Sequence, residues 1–131
     1  MLVVDASVAL AASASEGGFA RLPRDLVAPP LMWSEAMSAL HELQWRGQIE
    51  SEDATATFRR FQHAPVRKRD PAALRRTAWQ IADELGWAKT YDAEYLALAS
   101  LLGTQVVTLD ARLRRGAGHL GLVIGVDELR K

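Results

Sequence analysis

Short apolar runs alternate with longer stretches of helical periodicity along the chain. Residues 2–4 and 104–109 are apolar and β-prone, which predicts buried strands, and residues 122–126 predict a further one. Weaker signals at residues 26–28 and 65–68 bring the expected number of strands to four or five. Because helical stretches separate these strands, the strands should pair in parallel through right-handed crossovers. The expected fold class is α/β, a three-layer α/β/α domain with a central parallel sheet.

The predicted helices begin at capping residues and mostly end at glycines. Asp5 or Ser7 can cap the first helix, Ser51 the third, Asp70 with Pro71 the fourth, and Thr90 the fifth. The helices are expected over residues 8–14, 31–45, 51–62, 71–85, 91–102 and 111–115. No linker, repeat or low-complexity tract divides the chain, so one domain is expected over residues 1–131.

Composition removes several classes of protein from consideration. The 131 residues include 16 Lys+Arg and 16 Asp+Glu, so the formal net charge is zero. The chain therefore has no overall positive charge to attract nucleic acid, and any binding of nucleic acid must come from a local basic patch. The chain has no Cys, which excludes disulfides, thiolate metal sites and Cys nucleophiles. No run approaches the roughly 20 apolar residues that cross a bilayer, so no membrane association and a cytoplasmic location are expected.

Four acidic residues lie at the ends of predicted strands or at the starts of predicted helices. Asp5 ends the first apolar run and Asp110 ends the last but one, so both lie at carboxyl ends of predicted strands. Glu35 and Asp92 lie in the first turns of apolar helices. Functional crevices of open α/β sheets lie beyond the carboxyl ends of the strands. The pattern therefore predicts an acidic cluster at one edge of the sheet.

Each acid also has a purely structural interpretation. Asp5 and Asp110 are suited to cap the helices that follow them. Glu35 in a first turn interacts favourably with the helix dipole, and Glu42 lies two turns further along the same face.

Asp92 lies on a helix that is apolar nearly all round, so it is expected to be buried, and a buried acid needs a partner. Glu94 is its rival, and the pattern alone does not separate the two.

A converging cluster of carboxylates needs a counter-charge. Two carboxylates about 4 Å apart repel by roughly 4 kcal/mol at an effective dielectric of about 20. A bound cation removes this repulsion, and all-oxygen ligands favour Mg²⁺ or Mn²⁺ over Zn²⁺. Such ions hold phosphate oxygens and activate water, which predicts a metal-dependent nuclease. The three His residues lack the spacing of a metal motif.

The basic residues fall into two groups along the chain. Arg112, Arg114 and Arg115 follow Asp110 directly and are suited to bind the phosphates of a nucleic-acid backbone. A second basic group is expected to be a solvated face of unassigned role. It comprises Arg59, Arg60, Arg67, Lys68, Arg69, Arg75 and Arg76. The four Trp residues fall mostly on helices and are expected in the core.

Four segments together resemble the PIN-domain nucleases, and most closely the VapC-type toxins of bacterial toxin–antitoxin pairs. They are residues 3–7 (VVDAS), 30–35 (PLMWSE), 91–99 (YDAEYLALA) and 107–110 (VTLD). Their order and spacing fit across nearly the whole chain, although each segment alone is weak.

The resemblance implies that Asp5, Glu35, Asp92 and Asp110 are the acidic quartet, and it prefers Asp92 to Glu94. It implies that Ser7 and Thr108 support the site by hydrogen bonds to carboxylates or a bound water. It further implies endonucleolytic cleavage of RNA with Mg²⁺ or Mn²⁺, a homodimer, and a cognate antitoxin that blocks the acidic pocket.

Two other classes of function compete with this interpretation. A haloacid-dehalogenase-like phosphatase also begins with a strand and an Asp, but it needs a second Asp where Ser7 stands. A non-catalytic α/β binding module would use the acids only as helix caps. The sequence identifies neither the RNA that is cut nor the number of metal ions.

Overall fold

The computed structural model of the protein describes residues 1–130 and contains one five-stranded sheet in which every pair of neighbours is parallel. The strands are β1 (Leu2–Val4), β2 (Leu26–Ala28), β3 (Val66–Lys68), β4 (Val106–Thr108) and β5 (Val123–Gly125). Their spatial order is β3-β2-β1-β4-β5. The expected α/β fold with a central parallel sheet is confirmed.

Six α-helices cover the sheet. They are α1 (Ala6–Ser13), α2 (Leu31–Trp45), α3 (Ser51–Gln62), α4 (Leu74–Leu85), α5 (Tyr91–Leu102) and α6 (Ala111–Ala117). Short 3-10 helices follow at Gly18–Arg21, Gly118–Leu120 and Val126–Arg130. Helices α1, α2 and α3 pack on one another, and α4 packs on α5. Right-handed crossovers place these two groups on opposite faces of the sheet, which completes the three layers.

Strand β1 lies at the centre of the sheet and positions the site. Val3 and Val4 are fully buried, as a strand covered on both faces requires. The chain leaves β1 toward β2 on one side and returns to β4 on the other. The strand order therefore reverses between β1 and β4, and a crevice opens at such a switch point beyond the carboxyl ends of the strands.

At three helix starts the predicted capping differs from the structure. Helix α4 begins at Leu74 rather than at Pro71, because Asp70 forms an exposed ion pair with Arg75 and a turn intervenes. Glu50, not Ser51, occupies the N-cap position of α3. Thr90 occupies the N-cap position of α5 as predicted, but its side chain takes part in no capping hydrogen bond.

Helix α1 is fixed at both ends. At its start the Asp5 carboxylate accepts a hydrogen bond from the Val8 amide. At its end Arg60 of α3 donates to the carbonyl oxygens of Ser13, at 2.6 Å, and Ala14, at 3.0 Å. A cation at a helix C-terminus satisfies carbonyls that have no partner within the helix and opposes the helix dipole. One member of the basic group is therefore a structural residue.

The expectation that the Trp residues lie in the core is wrong for two of them. Trp45 at the end of α2 is 80% exposed and Trp79 on α4 is 66% exposed, whereas Trp33 and Trp87 pack partly against the core. Over residues 1–130, no helix has the length and apolar character that crossing a bilayer requires.

Candidate active site

Asp5 stands immediately after β1 and is held by three donors. The Ser7 hydroxyl donates to Asp5 Oδ1 at 2.6 Å and the Val8 amide donates to the same oxygen at 3.1 Å. The Thr108 hydroxyl donates to Oδ2 from the end of β4. The side chain is only 6% exposed, so its rotamer is fixed by these bonds.

The two hydroxyl groups also connect the neighbouring strand ends. Ser7 Oγ accepts from the Leu109 amide at 3.1 Å, and Thr108 Oγ1 accepts from the Asp110 amide at 2.9 Å. Each hydroxyl has one proton, and because its lone pair serves the β4–α6 backbone, that proton points at Asp5. Ser7 and Thr108 thus orient Asp5 as an acceptor and fix the two strand ends to each other.

Asp110 follows β4 and caps α6. Its Oδ1 accepts from the Arg112 amide at 2.8 Å and from the Leu113 amide at 3.4 Å. Within the part of the chain that the structure describes, Oδ2 has no hydrogen-bond partner. The capping interpretation is confirmed for both Asp5 and Asp110. For Asp110 the cap leaves one carboxylate oxygen for another ligand, so capping and metal binding are compatible.

Glu35 lies in the second turn of α2 and is half-buried. Its Oε1 accepts a hydrogen bond of 2.5 Å from the hydroxyl of Tyr95, a residue of α5 that is 1% exposed. Tyr95 was absent from the sequence-based site because a Tyr within an apolar helix predicts only a core position. The sole signal was its hydroxyl, which needs a partner once it is buried.

We expect Tyr95→Phe to weaken the binding of Mn²⁺ by about 10- to 100-fold, the usual cost of losing a group that orients a metal ligand. The phenyl ring keeps the packing, while Glu35 loses the bond that fixes its orientation. Titration of Mn²⁺ followed by electron paramagnetic resonance measures the change. Tyr91→Phe is the matched control, since its hydroxyl forms no hydrogen bond with residues 1–130. Equal affinities in wild type and Tyr95→Phe would contradict the orienting role.

Asp92 and its rival Glu94 lie in different surroundings. Asp92 is at the exposed start of α5, although burial was expected, and the buried part of this helix begins at Ala93. The carboxylates of Asp110 and Asp5 act on Asp92. Glu94 is instead influenced by Arg75 and Asp70 beside α4. The surroundings favour Asp92 as the fourth member of the acidic quartet.

Electrostatics couple the quartet, which is Asp5, Glu35, Asp92 and Asp110. Burial raises the pKa of Asp5 above its usual range, its three hydrogen bonds lower it, and the charge of Asp110 raises it further. Burial raises the pKa of Glu35, the Tyr95 hydroxyl opposes this, and the charges of Asp92, Asp5 and, least, Glu94 add to it. Although Asp92 is exposed as a residue, partial desolvation of its carboxyl raises its pKa, and Asp110 and Asp5 raise it further against the lowering effect of Arg112. The carboxylates therefore lie close enough to repel one another.

The donor set fits a hard divalent cation. All four candidate ligands are carboxylates, which Mg²⁺ and Mn²⁺ prefer. A cation would offset the repulsion that, after desolvation, adds to the raised pKa values of Asp5, Glu35 and Asp92. In residues 1–130 no three acidic or His side chains form a closed metal-binding group as they stand. The fit rests on donor chemistry and charge, and not on a preformed cage.

Arg112, at the start of α6, is an exposed cation next to these acids. Its side chain is 88% exposed and approaches Asp110 only to 4.0 Å. Arg114 is engaged elsewhere, because it forms ion pairs with Glu128 and Asp127. Of the three arginines that follow Asp110, which are Arg112, Arg114 and Arg115, only Arg112 lines the cleft that contains Glu35 and Asp92.

The comparisons with known proteins agree with this geometry. The PIN domain family matches residues 2–118. Ribonuclease VapC9 of Mycobacterium tuberculosis and a VapC ribonuclease of Mycobacterium bovis are each 35% identical to the chain over 115 residues, which cover 86% of this chain and 88% of each relative.

Two solved structures share the fold. The protein PAE2754 of Pyrobaculum aerophilum superposes with a TM-score of 0.77 at 25% identity, covering 98% of this chain and 92% of that one. A chain of a toxin–antitoxin complex from Klebsiella pneumoniae superposes with a TM-score of 0.68 at 12% identity, covering 96% and 98%. The second likeness concerns the fold alone.

Proposed function

The chain belongs to the PIN-domain family, and from that membership we propose that it is a metal-dependent endoribonuclease acting as the toxin of a toxin–antitoxin pair. The observation that carries the proposal is geometric: Asp5 and Asp110 follow the adjacent strands β1 and β4 and are linked through the Thr108 hydroxyl, and Glu35 and Asp92 line one cleft. The two curated relatives named ribonucleases support RNA as the substrate. Nothing favours the phosphatase alternative, since the family match covers nearly the whole chain.

We assign each acid a role. Asp5, Asp92 and Asp110 would hold Mg²⁺ or Mn²⁺, and Glu35 would either join them or orient the attacking water. When bound, the ion would polarise the phosphodiester and lower the pKa of a water molecule. Ser7 and Thr108 keep Asp5 in place through the hydrogen bonds described above.

Glu35 is suited to receive a proton. The pKa of its carboxyl is raised by burial and by neighbouring acids, which brings it nearer the pH at which a general base works best. Tyr95 occupies one of its oxygens and leaves the other available. Arg112 carries a mobile positive charge at the same cleft and would pair with a substrate phosphate.

The proposal includes a cognate antitoxin and a homodimer, both implied by the resemblance of the sequence. Large apolar side chains on the outer face of α2 are available for such contacts, because Met37 is 48% and Trp45 80% exposed. A nuclease of cellular RNA would act in the cytoplasm, which stays a prediction.

Purified protein tests the proposal on a 5′-labelled single-stranded RNA of mixed sequence. We expect internal cleavage with Mg²⁺ or Mn²⁺ and none in EDTA. The same ions should raise thermal stability by about 2.7 kcal/mol at a concentration 100 times the dissociation constant, because they bind only the folded site. Full cleavage in EDTA, or metal-dependent release of phosphate from small esters without RNA cleavage, would overturn it.

A further inference from the structure

A cleft of about 530 Å³ opens beside Glu35 and Asp92. This volume lies within the roughly 300–1,000 Å³ that is typical of ligand pockets. One wall is the connection between α4 and α5 together with the first residue of α5, and the other is the start of α6. The lining beyond the two acids comprises Gly86, Trp87, Ala88, Lys89, Tyr91, Arg112 and Leu113. The cleft thus combines two aromatic rings, two cations and two candidate metal ligands.

Tyr91 presents an aromatic ring next to the acids. It is the first residue of α5, directly before Asp92, and it is 57% exposed. Among residues 1–130 its hydroxyl has no hydrogen-bond partner, and the ring is not part of the core cluster. Neither packing nor hydrogen bonding within the described chain accounts for an aromatic side chain here.

Trp87 is the other aromatic residue that lines the cleft. It is partly buried against the core, and a Cβ added at Gly116 would lie 3.3 Å from its ring atom Cζ2. The tryptophan is therefore packed closely on the α6 backbone. Tyr91 is the more exposed of the two rings.

The two cations of the cleft form no close ion pair within the described protein. Lys89 is exposed and forms no ion pair within residues 1–130. Arg112 is 88% exposed, approaches Asp110 to 4.0 Å, and its charge also acts on Asp92. In a chain of zero formal net charge, two exposed cations beside candidate metal ligands mark a place where phosphates can be held.

We propose that Tyr91 stacks on an unpaired nucleobase next to the phosphodiester that is cut, while Lys89 and Arg112 pair with the flanking phosphates. The proposal rests on the ribonuclease function proposed above and adds to it the residue that receives an unpaired base beside the cut. A base within a duplex is stacked on both faces and cannot reach the ring, whereas loops and unpaired segments offer their bases to aromatic side chains.

Three substitutions at one position test the stacking. On a single-stranded RNA of mixed sequence, Tyr91→Ala and Tyr91→Leu should lower kcat/KM by roughly 5- to 150-fold, the range for loss of one aromatic–base stack. Tyr91→Phe keeps an aromatic face and should recover most of that loss. Trp79→Ala is the matched control, since this tryptophan is 66% exposed but does not line the cleft, and it should leave kcat/KM unchanged.

Two further readouts separate stacking from damage to Asp92. Wild type should quench the fluorescence of a 2-aminopurine placed beside the cut in a single-stranded RNA, and Tyr91→Leu should not. The rise in thermal stability with Mn²⁺ should be the same in both proteins, which shows that the metal site is intact.

The outcomes distinguish this proposal from the function on which it rests. If wild type cleaves RNA only with metal but Tyr91→Ala and Tyr91→Leu keep wild-type kcat/KM, the stacking proposal is wrong and the ribonuclease proposal stands. Equal cleavage of a duplex and of its separated strands also overturns it. If wild type cleaves no RNA under any metal condition, the proposed function itself fails.

Discussion

Replacing Asp5 by Asn is expected to lower kcat/KM for RNA cleavage by at least about 1,000-fold, because a metal site contributes several kcal/mol of transition-state stabilisation. Asp5 is the most buried of the four acids, and three hydrogen bonds fix its direction. Asn keeps the size and one acceptor oxygen but removes the charge. The measurement is cleavage of a labelled single-stranded RNA at saturating Mn²⁺.

The same variant should change little in stability in the absence of metal, because two effects oppose each other. The pKa of Asp5 is raised, so the folded protein disfavours its charged form and a neutral side chain relieves that cost. The Asn amide nitrogen, however, cannot accept the hydrogen bond that one carboxylate oxygen of Asp5 accepts now. We therefore expect the metal-free melting temperature of Asp5→Asn to stay close to that of wild type, while the added stability from Mn²⁺ disappears. Asp83→Asn, at an exposed position of α4, is the control. An active or unfolded Asp5→Asn protein would refute the assignment.

Separate substitutions of Asp92 and Glu94, the two acids at the start of α5, test which of them is a metal ligand. Asp92→Asn should lower kcat/KM by at least about 100-fold, since it removes a charge that interacts with both Asp5 and Asp110. Glu94→Gln should change it by no more than about threefold, because Glu94 interacts with Arg75 of α4 and with Asp70, and its charge is the weakest of the three that act on Glu35. Steady-state kinetics of both variants on one RNA give the comparison.

Asp92→Asn and Glu94→Gln serve as controls for each other. Each removes one charge from the first turn of α5, so each weakens the favourable interaction with the helix dipole to a similar extent. Their melting temperatures should therefore be similar even though their activities differ. A larger loss for Glu94→Gln than for Asp92→Asn would exchange the two roles.

Strand positions and the acidic residues followed from the sequence because their signals are local. Val3, Val4, Val106 and Val107 are fully buried, and runs of such residues have few alternatives to a covered strand. The strand-end positions of Asp5 and Asp110 then followed from the parallel topology. Helix starts were less predictable, because Asp70 pairs with Arg75 instead of capping α4, a choice between two partners that a capping pattern does not resolve.

The supporting contacts could not be derived from local pattern. Tyr95 reaches Glu35 across 60 positions of sequence, and Arg60 reaches Ser13 across 47. Only the resemblance to a family suggested Ser7 and Thr108, whose bonds to Asp5 the structure shows. The catalytic roles of the acids stay predictions, because hydrogen bonds and charge establish proximity and not chemistry.

The pairing of β1 with β4 also governs when activity can arise as the chain is made. Val3 pairs with Val106, and the Thr108 hydroxyl reaches back over 103 positions to Asp5. Bringing such distant segments together is a late and slow event, since the entropy of a long loop must be lost before the contact forms. A nascent chain still short of Asp110 lacks one wall of the acidic cleft. The acidic cleft therefore stays incomplete during synthesis until Thr108 and Asp110 have left the ribosome.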